Sequence, residues 1–194
     1  MPLATPEDVL AFWFGQPSQA DCGQQRREWF RKDAAFDEQI RHRFLPTVEA
    51  ALAGRFDAWA DEPRRLLALI VVLDQFPRNL FRNRAAAFAG DRQARQVADQ
   101  ALARGWDRPL LPVEKLFVYL PFEHSEALAD QERSLALFAA LAADHDDCQG
   151  FADYARRHHE VIARFGRFPH RNAALGRPST AEETAYLAQP GSGF

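Results

Sequence analysis

Apolar residues recur along this chain at helical spacing. From Asp33, the positions Phe36, Ile40, Phe44, Val48 and Leu52 follow every four residues, an amphipathic stripe that Gly54 closes and Pro46 is expected to kink or split. Thr5-Pro6-Glu7-Asp8 reads as an N-cap, a first-turn proline and early acids, leading into an apolar stretch over 9–14 that Gly15 and Pro17 end. Asp61 and Pro63 open a segment over 64–76 whose centre is apolar on every side. Its length and caps favour a buried helix over a strand. Asp91 starts a helix with Ala94, Val97, Ala98, Ala101 and Leu102 inward, ended by Gly105, and Pro109 and Pro112 mark a loop before a helix over 113–120. Leu128, Leu135, Phe138 and Ala142 stripe a long helix over 125–143, with Ser125 as its candidate N-cap. Phe151, Tyr154, Val161, Ile162 and Phe165 stripe another that Gly166 ends. Thr180-Ala181-Glu182-Glu183 is a capping box for a last helix through Leu187. With no alternating strand pattern, the chain reads as all-α: a compact stack of antiparallel helical hairpins, roughly eight helices, in a single domain over 1–194.

Composition narrows the class. The 194 residues are 47% hydrophobic and 26% charged, an ordinary globular balance long enough to bury a core. The longest apolar run, over 66–73, falls far short of the roughly 20 residues that span a bilayer, and the first residues lack a secretory pattern, so the chain is expected to stay in the cytoplasm. Net charge is −3, so neither nucleic acid nor anionic membrane is an expected partner. The charge is segmented, however. Glu123, Glu126, Asp130, Glu132, Asp144, Asp146 and Asp147 face only Arg133 over 121–147, whereas Arg156, Arg157, Arg164, Arg167, Arg171 and Arg177 outweigh Asp153 and Glu160 over 150–178. Two neighbouring helices of opposite sign are expected to pack on each other, unless the arginines bind an anion instead. Cys22 and Cys148 form no metal-type cluster and read as plain thiols.

Several polar residues fall on apolar stripes. His124 and Gln131 share the core-facing line of Leu128 and Leu135, and His158 lies in the stripe of Phe151 and Phe165. Buried without partners such groups cost several kcal/mol, roughly 2–7, so each needs a partner or a wet pocket. Pro121-Phe122-Glu123-His124-Ser125-Glu126 concentrates acids, a base and a hydroxyl in six residues. No serine-hydrolase elbow, phosphate-binding glycine loop, dinucleotide fingerprint or zinc-protease helix is present, and no metal or cofactor is implied. Trp13, Trp29 and Phe194 are candidate exposed residues for self-association.

Asp74-Gln75-Phe76-Pro77-Arg78-Asn79 echoes Gly166-Arg167-Phe168-Pro169-His170-Arg171-Asn172. Proline stops a helix and extends the residue before it, so each Phe is expected to plug the core while Arg and Asn leave the helix axis. These stretches, with Phe12-Trp13-Phe14, the motif over 120–126, Gln131-Glu132-Arg133-Ser134 and Leu175-Gly176-Arg177, resemble the uncharacterised bacterial family DUF924 over residues 7–187. The resemblance implies a tetratricopeptide-like helical fold and brings no assigned catalytic residues.

Three functional readings follow. A binding module would hold an anionic small molecule or peptide at a polar pocket drawn from Arg78, Asn79, Glu123, His124, Arg167, His170, Arg171 and Asn172. A small-molecule enzyme would use His124 or His170 as acid and base, Glu123 to orient it and the arginines as a clamp. Alternatively, the same residues form a buried polar network that fixes helix packing.

Overall fold

The structure, a computed structural model, describes residues 2–16, 18 and 22–193. Their regular structure is entirely helical: α1 (Pro6–Phe14), α2 (Ala34–Leu52), α3 (Pro63–Ile70), α4 (Phe76–Leu80), α5 (Asp91–Ala103), α6 (Pro112–Glu123), α7 (Leu128–Asp144), α8 (Gln149–Phe165) and α9 (Ala181–Leu187), with short 3-10 turns between them. A π-helical stretch, Val71–Gln75, joins α3 to α4, so the two are one continuous helix and the described residues hold eight α-helices. Pro17 and Phe194, placed above at a helix end and at a candidate association site, lie outside the described residues.

The described residues gather into two compact units, Met1–Arg82 with Ala86–Pro121, and Asn83–Ala85 with Phe122–Phe194. The core of the first is aromatic. Trp13, wholly buried, stacks on Trp29 at 6.0 Å and meets Phe36, Phe76 and Phe117 at 5.5–5.7 Å between ring centroids. Neither Trp13 nor Trp29 is exposed, contrary to the self-association reading: the Trp29 indole N–H donates to the Trp13 carbonyl at 3.1 Å. The Arg26 guanidinium donates to the carbonyls of Phe12 and Trp13 at 2.8 and 3.2 Å, supplying partners at the end of α1.

Proline behaves differently from expectation at two places. Pro46 lies inside an unbroken α2; the carbonyl four residues back belongs to exposed His42, where water is at hand. Pro77 does not stop its helix either. The π turn carries the chain through Phe76-Pro77 to Leu80, so Arg78 and Asn79 remain on the helix instead of leaving it. The carbonyl that Pro77 cannot serve belongs to buried Leu73, and Gly90, at the start of α5, packs directly on it.

The second unit centres on the α7–α8 hairpin, with Phe168 wholly buried against Val161 and Ile162. Here the Phe-Pro motif does end a helix. Gly166 adopts φ 68° after α8, Phe168 is extended, and Pro169–Arg171 forms a 3-10 turn. Three details depart from the stripe reading. Helix α7 begins at Leu128, later than 125, which leaves His124 in the turn after α6; Leu128, at that first position, is 45% exposed instead of core-facing; and Tyr154 is 51% exposed. Ser125 does not cap α7: its hydroxyl accepts from the Ala127 N–H at 3.2 Å and donates to Asp130 at 2.6 Å. Gln131 is buried as expected, its amide donating to the carbonyls of Glu123 and Ser125 at 2.6 Å and so closing the end of α6.

Candidate functional site

The eight candidate residues fall into three groups. Arg78 and Asn79 lie in the first unit, where their donors meet local acids. One Arg78 nitrogen reaches the Asp74 carbonyl at 2.5 Å, the Asp74 carboxylate at 3.2 Å and Asp91 at 2.8 Å. Asn79 donates to Asp37 at 2.8 Å, and Arg82 grips the same carboxylate with two N–H groups at 2.5 and 2.8 Å. Both lower the Asp37 carboxyl against the burial that would raise it.

Arg167 and Asn172 belong to a second network, inside the second unit. Arg167 forms a two-pronged pair with Glu183 at 2.6 and 2.8 Å, and Glu183 also accepts from the Thr180 N–H at 2.7 Å as the capping box of α9. Hydrogen bonds from Arg167 first, and then from Thr180, push the Glu183 carboxyl down to about 2. Asn172 is spent on Ser179, Glu183 and Arg177, and Arg177 forks onto Glu126 at 2.7 and 2.9 Å. Glu126 also accepts the Phe168 N–H at 2.8 Å. The opposed charges over 121–147 and 150–178 thus meet through Glu126 and Arg177, whereas Arg156 and Arg164 pair with Asp153 and Glu182 outside the acidic stretch. Sequence reading left Glu126, Arg177 and Glu183 off the candidate set, although all three sit in motifs it singled out.

The third group gathers around Phe168. Arg171, 6% exposed, lays its guanidinium 4.5 Å from the centre of that ring, and His158 and His170 each approach it at 5.5 Å. His124 lies 6.4 Å from His158, and Glu123 places a carboxylate oxygen 3.2 Å from His158 Nδ1. Glu123, His158 and Arg171 are buried, and His124 and His170 are half-buried. His158 was legible only as an inward histidine; nothing in its spacing showed that loop residues would surround it.

Local bonding fixes the chemistry of His158. Its Nδ1 lies 2.9 Å from the Tyr154 carbonyl, one turn earlier on α8. A carbonyl only accepts, so Nδ1 carries the proton and the neutral ring presents its lone pair at Nε2. Burial holds the imidazole well below its ordinary value, and His124, His170 and Arg171 add to this against the Tyr154 bond. The folded state therefore binds fewer protons at His158 than the unfolded chain, and stability falls as pH drops below about 6.5, by at most about 1.4 kcal/mol per pH unit. Denaturant titrations at pH 8, 6 and 5 are expected to show this slope in the wild type and a flatter one in His158→Asn. Equal slopes in the two proteins would refute the neutral imidazole.

The match to the family described as bacterial protein of unknown function (DUF924) spans residues 9–191. The chain belongs to the DUF924 family. Its all-helical fold recurs in a solved structure from Agrobacterium tumefaciens titled as the protein of unknown function ATU0120. That protein is 38% identical, with a TM-score of 0.83, over 94% of this chain and 96% of that one. No curated protein matches the DUF924 chain. Among its described residues no helix is long and apolar enough to cross a membrane, and no grouping of three histidine, cysteine or carboxylate side chains could hold a metal ion.

Proposed function

We propose that this DUF924 chain is a binding protein that holds a small anionic molecule at the cluster of His124, His158, His170 and Arg171. The observation that carries the reading is the guanidinium of Arg171 fixed over Phe168 with the imidazoles of His158 and His170 around the same ring, His124 next to His158, and Glu123 the carboxylate beside His158. The split among the candidate arginines supports it. Arg78 and Arg167 are held by Asp74, Asp91 and Glu183 in networks away from Phe168, whereas Arg171 is the arginine set against that ring beside His158 and His170. Imidazoles at a half-buried rim supply donors to an oxyanion, and more of them as pH falls.

Inorganic phosphate and citrate serve as probes. Each is expected to shift the imidazole proton signals of His124 and His170 saturably. Arg171→Ala is expected to weaken binding about 10- to 100-fold, the worth of roughly 1.5–3 kcal/mol for a hydrogen bond to a charged group. A paired His124→Ala, His170→Ala variant keeps the test sound should Arg171→Ala fold poorly, because both imidazoles are half exposed. Unmoved histidine signals, or unchanged affinity in both variants, would rule the site out.

A second reading, proton transfer, draws on the tautomer of His158. A neutral imidazole with Nδ1–H anchored to a carbonyl, Glu123 alongside and its lone pair at Nε2 is the arrangement of a general base. The pH slopes described above test it, since a His158 that titrates at its ordinary value is no buried neutral base.

A further inference from the structure

A cavity of about 400 Å³ opens in the first unit between α5 and the 3-10 turn Asp57–Asp61, within the span of small-molecule sites, about 300–1,000 Å³. Its floor is aliphatic, made by Ala51, Leu69, Leu73 and Val97. One wall is a row of amides: Gln93, Gln96 and Gln100 recur at i, i+3 and i+7, the spacing that puts three side chains on one face of α5. The charged residues of the same helix, Asp91, Arg92, Arg95 and Asp99, do not line the cavity.

The opposite side carries Phe56 and Asp61, with Arg104 at the end of the glutamine row. Phe56, stacked on Trp59 at 4.5 Å, is the aromatic residue of the lining. The side chains of Gln96, Gln100 and Asp61 make no hydrogen bond within the described residues, and Gln93 gives only a long one, 3.4 Å, to the Leu52 carbonyl. Arg104 sets one N–H on the Ala60 carbonyl at 3.0 Å and holds its plane over Trp106.

Charge decides the class of occupant. One carboxylate and one guanidinium cancel, so the cavity selects neither anions nor cations. Each glutamine amide offers a donor and an acceptor in one plane, which matches groups that both give and take, and adjacent hydroxyls on a ring do so. The aliphatic floor and the aromatic face suit a flat C–H surface. A sugar ring has both properties: an apolar face and a rim of hydroxyls. We propose that this cavity binds a neutral polyhydroxylated ligand, a mono- or disaccharide, with Gln93, Gln96, Gln100 and Asp61 reading its hydroxyls and Phe56 its ring face. An extended peptide is the competing occupant, because Gln96 and Gln100 lie about 6 Å apart along the helix axis, close to the two-residue repeat of a strand. The single continuous aliphatic floor favours a ring over a strand, whose side chains need separate pockets.

The test follows the glutamine side-chain amide signals by NMR in the intact chain. Glucose, maltose and myo-inositol are the sugar and polyol probes, N-acetylglycine methylamide is the peptide mimic and inorganic phosphate the anion. At least one of the polyhydroxylated probes is expected to shift the three amide signals saturably. The paired Gln96→Ala, Gln100→Ala variant is expected to weaken that binding by about tenfold or more with an unchanged melting temperature, since both positions are exposed and alanine favours helix. Asp61→Asn, which keeps shape and removes charge, is expected to weaken it several-fold and serves alone should the double variant lose stability. The proposal fails if no sugar or polyol moves the amides, if only the peptide mimic or phosphate moves them, or if the variants bind as the wild type does.

Discussion

Gly90→Ala is expected to lower the melting temperature by roughly 6–12 °C, the equivalent of about 3 kcal/mol in a chain of this size. The backbone of Gly90, at φ −92°, is open to any residue, so conformational freedom is not what glycine provides here. Its missing side chain is. A Cβ at this position would overlap the Leu73 carbonyl oxygen and stand 2.9 Å from the carbonyl carbon, with a Leu52 methyl at 3.2 Å. A flexible side chain could turn aside, but this carbonyl belongs to the π stretch in the middle of a continuous helix, and the Gly90 carbonyl anchors the first turn of α5 through the Ala94 N–H at 2.8 Å. Relief must therefore separate α5 from the π stretch. Gly150→Ala is the control: it lies within α8 with nothing in the way of a Cβ, and alanine there is expected to leave stability level or raise it by about 0.5–1 kcal/mol. Equal melting temperatures for the two variants would show that the Leu73 carbonyl yields cheaply.

The same contact marks where the sequence was readable and where it was not. Helix existence was legible because stripes such as Phe36, Ile40, Phe44 and Val48, and caps such as Thr5 and Thr180, are local signals that the structure keeps. The course of the chain at Pro77 was not. The rule that proline ends a helix is local, and it was overruled by a π turn against which a glycine thirteen positions later in the chain packs. The burial of Trp13 and Trp29 escaped notice for a similar reason, since their partners Phe36, Phe76 and Phe117 come from three other elements. In the candidate site, the residue types were legible and their sorting was not. Arg78, Arg167 and Arg171 look equivalent in a motif, and what separates them is what the fold sets beside each: Asp91 for the first, Glu183 for the second, and the Phe168 ring for the third.

That sorting is open to a direct thermodynamic test at Arg78. Arg78→Ala is expected to cost about 3–5 kcal/mol in denaturant unfolding, because the Asp74 carboxylate it faces is wholly buried and would lose its cation. The exposed pair of Arg156 with Asp153 provides the scale: Arg156→Ala is expected to change stability by less than about 1 kcal/mol. Geometry and burial make the difference, since both pairs lie one helical turn apart on a single helix. The attraction itself is not the main quantity at stake at Arg78. Burying the guanidinium opposes its charge, and Asp74 and Asp91 more than restore it, so its proton is held more tightly than usual. What Arg78→Ala exposes is the cost of the remaining carboxylate in a place water does not reach. A paired Asp74→Asn, Arg78→Met variant removes both charges while keeping volume, and is expected to be more stable than Arg78→Ala alone. If Arg78→Ala proves no costlier than Arg156→Ala, Arg78 is no part of the packing network and returns to the set of residues that could hold a ligand.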